Sequence, residues 1–111
     1  MSNKAVELFT AVPKLHNCAQ AVAAGSGRED LVTEMAANGG GRAPEGYCGA
    51  LFAALQLVKP ENREALKSDF MTDAGALTCR EIKTGTLFPC KDCVRVAAEL
   101  VEKYRWTETF F

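Results

Sequence analysis

Isoleucine is nearly missing from this chain. It has one isoleucine and eight valines, against seventeen alanines and ten leucines. Good helix formers dominate and β-branched residues are few. No stretch alternates apolar and polar residues for more than a few positions, so a sheet protein is not expected. No apolar run approaches the roughly 18 residues that a membrane-spanning helix needs. The opening stretch carries one early lysine and a short apolar run interrupted by Glu7, a poor match to a secretory signal. There is no excess of either charge: 13 basic residues face 14 acidic ones, for a net charge of -1. That balance argues against a nucleic-acid binder, whose footprint is basic, and against an acidic disordered tail. The reading is therefore a cytoplasmic protein without membrane insertion. Its 111 residues predict one domain, 1–111, with a single modest core.

The few prolines punctuate the pattern. Pro13, Pro44, Pro60 and Pro89 each precede a stretch of helical periodicity, where a missing N–H does no harm. Three capping boxes suggest further starts: Asn17-Cys18-Ala19-Gln20, Ser26-Gly27-Arg28-Glu29 and Thr78-Cys79-Arg80-Glu81. Gly25, Gly39, Gly75 and Gly85 sit where helices should stop. The pattern predicts helices over about residues 3–10, 17–24, 27–37, 45–58, 60–73, 79–83 and 89–105. The expected fold is all-α, a compact single-domain bundle of six to seven short helices. Cys48, Leu51, Leu55 and Val58 form one apolar stripe, and Cys90, Val94, Ala97 and Val101 another.

Five cysteines stand out, an odd number that suits no simple disulfide framework. Cys18 follows the Asn17 cap, Cys79 the Thr78 cap and Cys90 the proline at 89, while Cys48 lies in the first turn or so after Pro44. Four cysteines thus stand at four predicted helix N-termini. Such an end carries partial positive charge and unpaired N–H groups, which favour thiolate over thiol. Cys90-Lys91-Asp92-Cys93 adds a CxxC, two thiols on one helix face that can form a disulfide or share a metal. On this reading Cys90 attacks and Cys93 resolves; the alternative pairs Cys90 with another cysteine such as Cys79 and leaves Cys93 packed beside Val96 and Ala97. Passive packing is the bland account of any one cysteine, since free cysteine behaves as a small hydrophobe. A zinc ribbon would need a second close pair, and a standard ferredoxin cluster a CxxCxxC run; neither is present.

Asn17-Cys18-Ala19-Gln20-Ala21-Val22, the run from Gly40 through Cys48-Gly49-Ala50-Leu51, and Cys79-Arg80-Glu81 resemble the C_GCAxx_C_C family of redox-active proteins. Cys90 followed by Val94 and Ala97-Ala98 fits the same pattern, as does the opening Ala5-Val6-Glu7-Leu8-Phe9. The resemblance covers about residues 5–100. It implies a mainly prokaryotic protein whose four recurring cysteines are Cys18, Cys48, Cys79 and Cys90. Three departures stand out. Ala53 replaces the last glycine of the family's CGAxxG, the chain is shorter between helix four and Cys79, and Cys93 is additional.

Three functions fit these residues. The first is thiol redox chemistry, a thiol oxidoreductase working with an unidentified redox partner. In it Cys90 and Cys93 are the dithiol, with Cys18, Cys48 and Cys79 gathered around one cavity. The second is a metal ion or iron–sulfur cluster held by Cys18, Cys48, Cys79 and Cys90. The third is an accessory or interaction protein with structural cysteines. The remaining candidates have plainer readings. His16, the sole histidine, lies two residues from Cys18 and so points elsewhere on a helix. Gly39-Gly40-Gly41-Arg42 matches no phosphate loop. Glu61, Arg63, Glu64 and Lys67 read as a solvated face. Trp106, Phe110 and Phe111 would dock on the core or join copies into a homo-oligomer.

Overall fold

A computed structural model describes residues 2–11, 16–37 and 46–109. Among them are six α-helices and no strand, so the chain is an all-α globule with a radius of gyration of 12.5 Å. No described helix is long and apolar enough to cross a membrane. Helix α1 spans Ser2–Thr10, α2 Cys18–Gly25, α3 Gly49–Gln56, α4 Arg63–Ala74, α5 Cys79–Glu81 and α6 Cys90–Thr109. Short 3₁₀ turns at Glu29–Leu31, Glu34–Ala37 and Pro60–Asn62, and a π turn at Ile82–Thr86, join them.

Helix α6 is the shared wall of the bundle, since α1, α2, α3 and α4 all pack against it. Its Val94, Ala97, Ala98 and Val101 are fully buried. The expected stripe on α3 is buried too: Cys48, Leu51, Leu55 and Val58 all face the core. The alanines let backbones approach closely. Gly25 shows the limit of this, because a Cβ there would lie 2.6 Å from the Ala5 Cα of α1. Helix α4 is tied to α6 at the surface, where Lys103 Nζ lies 2.9 Å from Asp69 Oδ2 and the Tyr104 hydroxyl donates to the same oxygen.

The caps decide which segments are helical. Asn17 Oδ1 accepts from the Gln20 N–H at 2.7 Å, and Gln20 Oε1 accepts from the Asn17 N–H at 2.9 Å, closing the expected capping box. Thr78 caps α5 through the Glu81 N–H. Ser26-Gly27-Arg28-Glu29 behaves differently. It is the end of α2, not the start of a helix. Gly27 takes φ +83°, its N–H bonds Ala24 O at 3.1 Å, and the Arg28 N–H bonds Ala23 O at 2.9 Å. That pattern is a Schellman stop.

The helix expected over residues 27–37 is replaced by two 3₁₀ turns. Side chains from the start of α2 take its carbonyls: Gln20 Nε2 donates to Val32 O, and Asn17 Nδ2 donates to Met35 O and Ala36 O. Two other boundaries shift. The helix expected from residue 45 starts at Gly49 with Cys48 as its N-cap, and the last helix runs past residue 105 to Thr109. Arg63 is more than a solvated charge, because its Nε donates to Leu55 O at 2.8 Å and ties α4 to α3. Of the expected helix stops, Gly75 ends α4 at φ +83°, whereas Gly85 lies inside the π turn and Gly39 lies outside the described residues. The π turn ends at Leu87, a non-glycine residue at φ +59° whose N–H bonds Ile82 O at 2.7 Å. Gly40, Gly41, Arg42, Phe110 and Phe111 also lie outside the described residues, and the Trp106 side chain is not described.

Candidate functional site

The cysteine positions follow from the caps. Cys18 is the first residue of α2 after its Asn17 cap, and Cys79 the first residue of α5 after Thr78. Cys90 opens α6, where Pro89 O accepts the N–H groups of Asp92 and Cys93 at 3.0 Å. Cys48 is the N-cap of α3. A single backbone bridge sets two of these starts side by side. Tyr47 pairs antiparallel with Thr78, and the Cys48 N–H donates to Leu77 O at 2.9 Å. Gly46, at φ +73°, turns the chain into this bridge.

All five cysteines line one cavity of about 150 Å³. Phe9 from α1, Asn17, Gly49 and Lys83 also line it, and no carboxylate is among the described lining residues. The sulfurs sit at different depths. Cys90 is exposed, Cys18 and Cys79 are half-buried, and Cys48 and Cys93 are buried at 6% and 2% exposure. No disulfide joins any two of them.

Cys48 and Cys93 form the distinctive pair. Cys93, one turn into α6, is buried beside Cys48 on the cavity wall. Its thiol is the main reason the Cys48 thiol is lowered to about 7, because it favours the Cys48 thiolate as a hydrogen-bonding neighbour, and burial opposes the shift. The N–H groups of Leu51 and Ala50 and the nearby Lys83 ammonium add to the effect, although no capping hydrogen bond closes on the side chain. Cys93 moves the opposite way. Cys48 as a neighbour raises it, and burial and the other sulfurs raise it further. The assignment agrees with the backbone. Cys48 stands at a helix start with free N–H groups nearby, while the Cys93 N–H is already bonded to Pro89 O. Both directions favour ionising Cys48 before Cys93. Burial raises the Cys79 thiol, and Lys83 partly offsets this.

The CxxC reading pairs Cys90 with Cys93. In the structure both line the cavity together with Cys48, Cys93 buried and Cys90 exposed. Sequence reasoning overlooked Lys83, although its spacing from Cys79 already places both on one helix face. It also gave no sign that Phe9 reaches the cavity. His16 is half-buried and does not line it. The metal reading finds no matching donor geometry, because among the described residues no three His, Cys, Asp or Glu side chains are grouped to hold an ion. Comparison with protein-family models, curated proteins and solved structures returned no match for the chain.

Proposed function

We propose that this chain is a thiol redox protein that cycles between a dithiol and a disulfide. Cys48 is its reactive thiolate and Cys93 the partner thiol. One observation carries the reading: Cys48, at the start of α3, and Cys93, one turn into α6, are both buried on the wall of one cavity, and the Cys93 neighbour lowers the Cys48 thiol to about 7. Thiolate is the attacking form in disulfide and peroxide chemistry, and a value near ambient pH combines a large thiolate fraction with good nucleophilicity. Closing the Cys48–Cys93 bond releases two electrons and two protons to an oxidant. Reopening it takes both from a dithiol donor, which leaves as a disulfide. That donor is the redox partner, and a reducing cytoplasm would supply it. Cys18, Cys79 and Cys90 wall the site, and exposed Cys90 is the sulfur a partner reaches first.

The test is thiol counting with mass mapping. Mild oxidation of the reduced protein should remove two thiols, link Cys48 to Cys93, and reverse with a dithiol reductant. A Cys90–Cys93 bond would keep the redox reading and move the pair onto the CxxC. Five unchanged thiols would favour the accessory-protein reading. Metal bound in stoichiometric amount and lost on cysteine substitution would favour the metal or cluster reading.

A further inference from the structure

We propose that the oxidant accepted at this site is a small hydroperoxide, hydrogen peroxide or one with a short alkyl group, reduced at Cys48 inside the cavity. The proposal rests on the dithiol reading above and adds a substrate class to it. Cys48 is 6% exposed and lies on the wall of a cavity of about 150 Å³. A cavity of that size holds a molecule of about a benzene ring, well below the roughly 300–1,000 Å³ of ordinary ligand pockets. A disulfide substrate carries a substituent on each sulfur and must line up three sulfurs for exchange. A peptide or protein disulfide has no room to do so at Cys48. A two-oxygen molecule has.

The walls fit the chemistry. The Cys48 thiolate attacks one peroxide oxygen and the O–O bond breaks, giving the Cys48 sulfenic acid and hydroxide, or an alkoxide from an alkyl hydroperoxide. The departing oxygen carries the negative charge. Lys83 lines the same cavity and no described lining carboxylate opposes it, so its ammonium is placed to bond and protonate that oxygen. The Cys93 thiol, buried beside Cys48 on the same cavity wall, then attacks the Cys48 sulfur. The S–O bond breaks, the Cys48–Cys93 disulfide forms, and water leaves. In sum, two thiols and one hydrogen peroxide give one disulfide and two waters. Immediate resolution by Cys93 also protects Cys48 from a second peroxide and from irreversible sulfinic acid.

The reduced full-length protein should be mixed separately with hydrogen peroxide, cumene hydroperoxide and oxidised glutathione, following thiol loss and mapping the bond formed. Hydrogen peroxide should close Cys48–Cys93 roughly tenfold or more faster than either bulky oxidant, the scale of discrimination a tight pocket provides. In Cys93→Ser, peroxide treatment should add oxygen to Cys48, read by mass mapping of the Cys48 peptide. In Lys83→Met, the peroxide reaction should stay slower even at a pH where Cys48 is fully ionised, which separates leaving-group assistance from an effect on acidity. The wild-type comparison needs no variant to fold. If oxidised glutathione closes the pair as fast as peroxide, the substrate class falls and the dithiol reading stands. If no oxidant closes the pair reversibly, both fall. If Cys48 gains no oxygen in a folded Cys93→Ser protein, the sulfenic acid step is overturned.

Discussion

Cys48 and Cys93 shift each other's acidity in opposite directions, so removing either partner should show on the other. In Cys93→Ala the main cause of the raised Cys48 acidity is gone while its burial remains. Thiolate absorbance against pH should then move from about 7 back toward or beyond the ordinary 9.0. An unchanged titration would mean that the helix start and Lys83 suffice alone. The same pair sets a pH dependence of stability in the reduced protein. A depressed folded value contributes stability that is present above the unfolded value and lost as pH falls through the folded one. For Cys48 this gives stability that rises from about pH 7 to about pH 9. Cys93 and Cys79 are raised, so their contribution is present below the ordinary 9.0 and is lost as pH climbs past it. Urea unfolding across this range should show a rise and then a fall. The rise should vanish in Cys48→Ala.

Helix α2 owes its position to two features of unequal visibility in the sequence. Asn17 caps its start and also holds two carbonyls of the following 3₁₀ segment. Asn17→Ala should therefore cost more than the roughly 1 kcal/mol of a lost N-cap. It should also loosen residues 34–37, which hydrogen exchange would detect. Gly25 closes the other end. A methyl there meets the Ala5 backbone, which cannot swing aside as a flexible side chain would. Gly25→Ala should lower stability by about 1–3 kcal/mol, the range for overpacking, as read by thermal unfolding. The Asn17 and Thr78 caps were legible because a cap is a local bond between residues three apart. The Ser26 box was misread because a serine three residues before a glutamate looks alike at a start and just past a stop. Gly27 decided it by taking a left-handed conformation that no spacing rule encodes. The 3₁₀ turns were illegible for a further reason, since the groups that break that helix, Asn17 and Gln20, come from another element.

The cavity exists because the starts of α2, α3, α5 and α6 meet around the shared wall of the bundle. Placement of four cysteines at helix starts could be read from caps and prolines. Placement of Cys48 beside Cys93 could not, because it depends on how α3 leans on α6. That long separation gives the molecule a measurable signature. A Cys48–Cys93 disulfide closes the chain from residue 48 to residue 93 and links two elements that pack together. For a loop of that length the chain-entropy effect on the unfolded state is about 4 kcal/mol, before any strain in the folded state is subtracted. In a domain of this size that corresponds to a rise in Tm of roughly 15–25 °C. A Cys90–Cys93 bond lies within one helical turn and restrains very little of the unfolded chain, so it should raise Tm far less. Thermal unfolding of oxidised against reduced protein therefore separates the two pairings without mass mapping. A large rise in the wild type that persists in Cys90→Ser but is lost in Cys48→Ser supports the buried pair. A small shift lost in Cys90→Ser would place the disulfide on the CxxC instead.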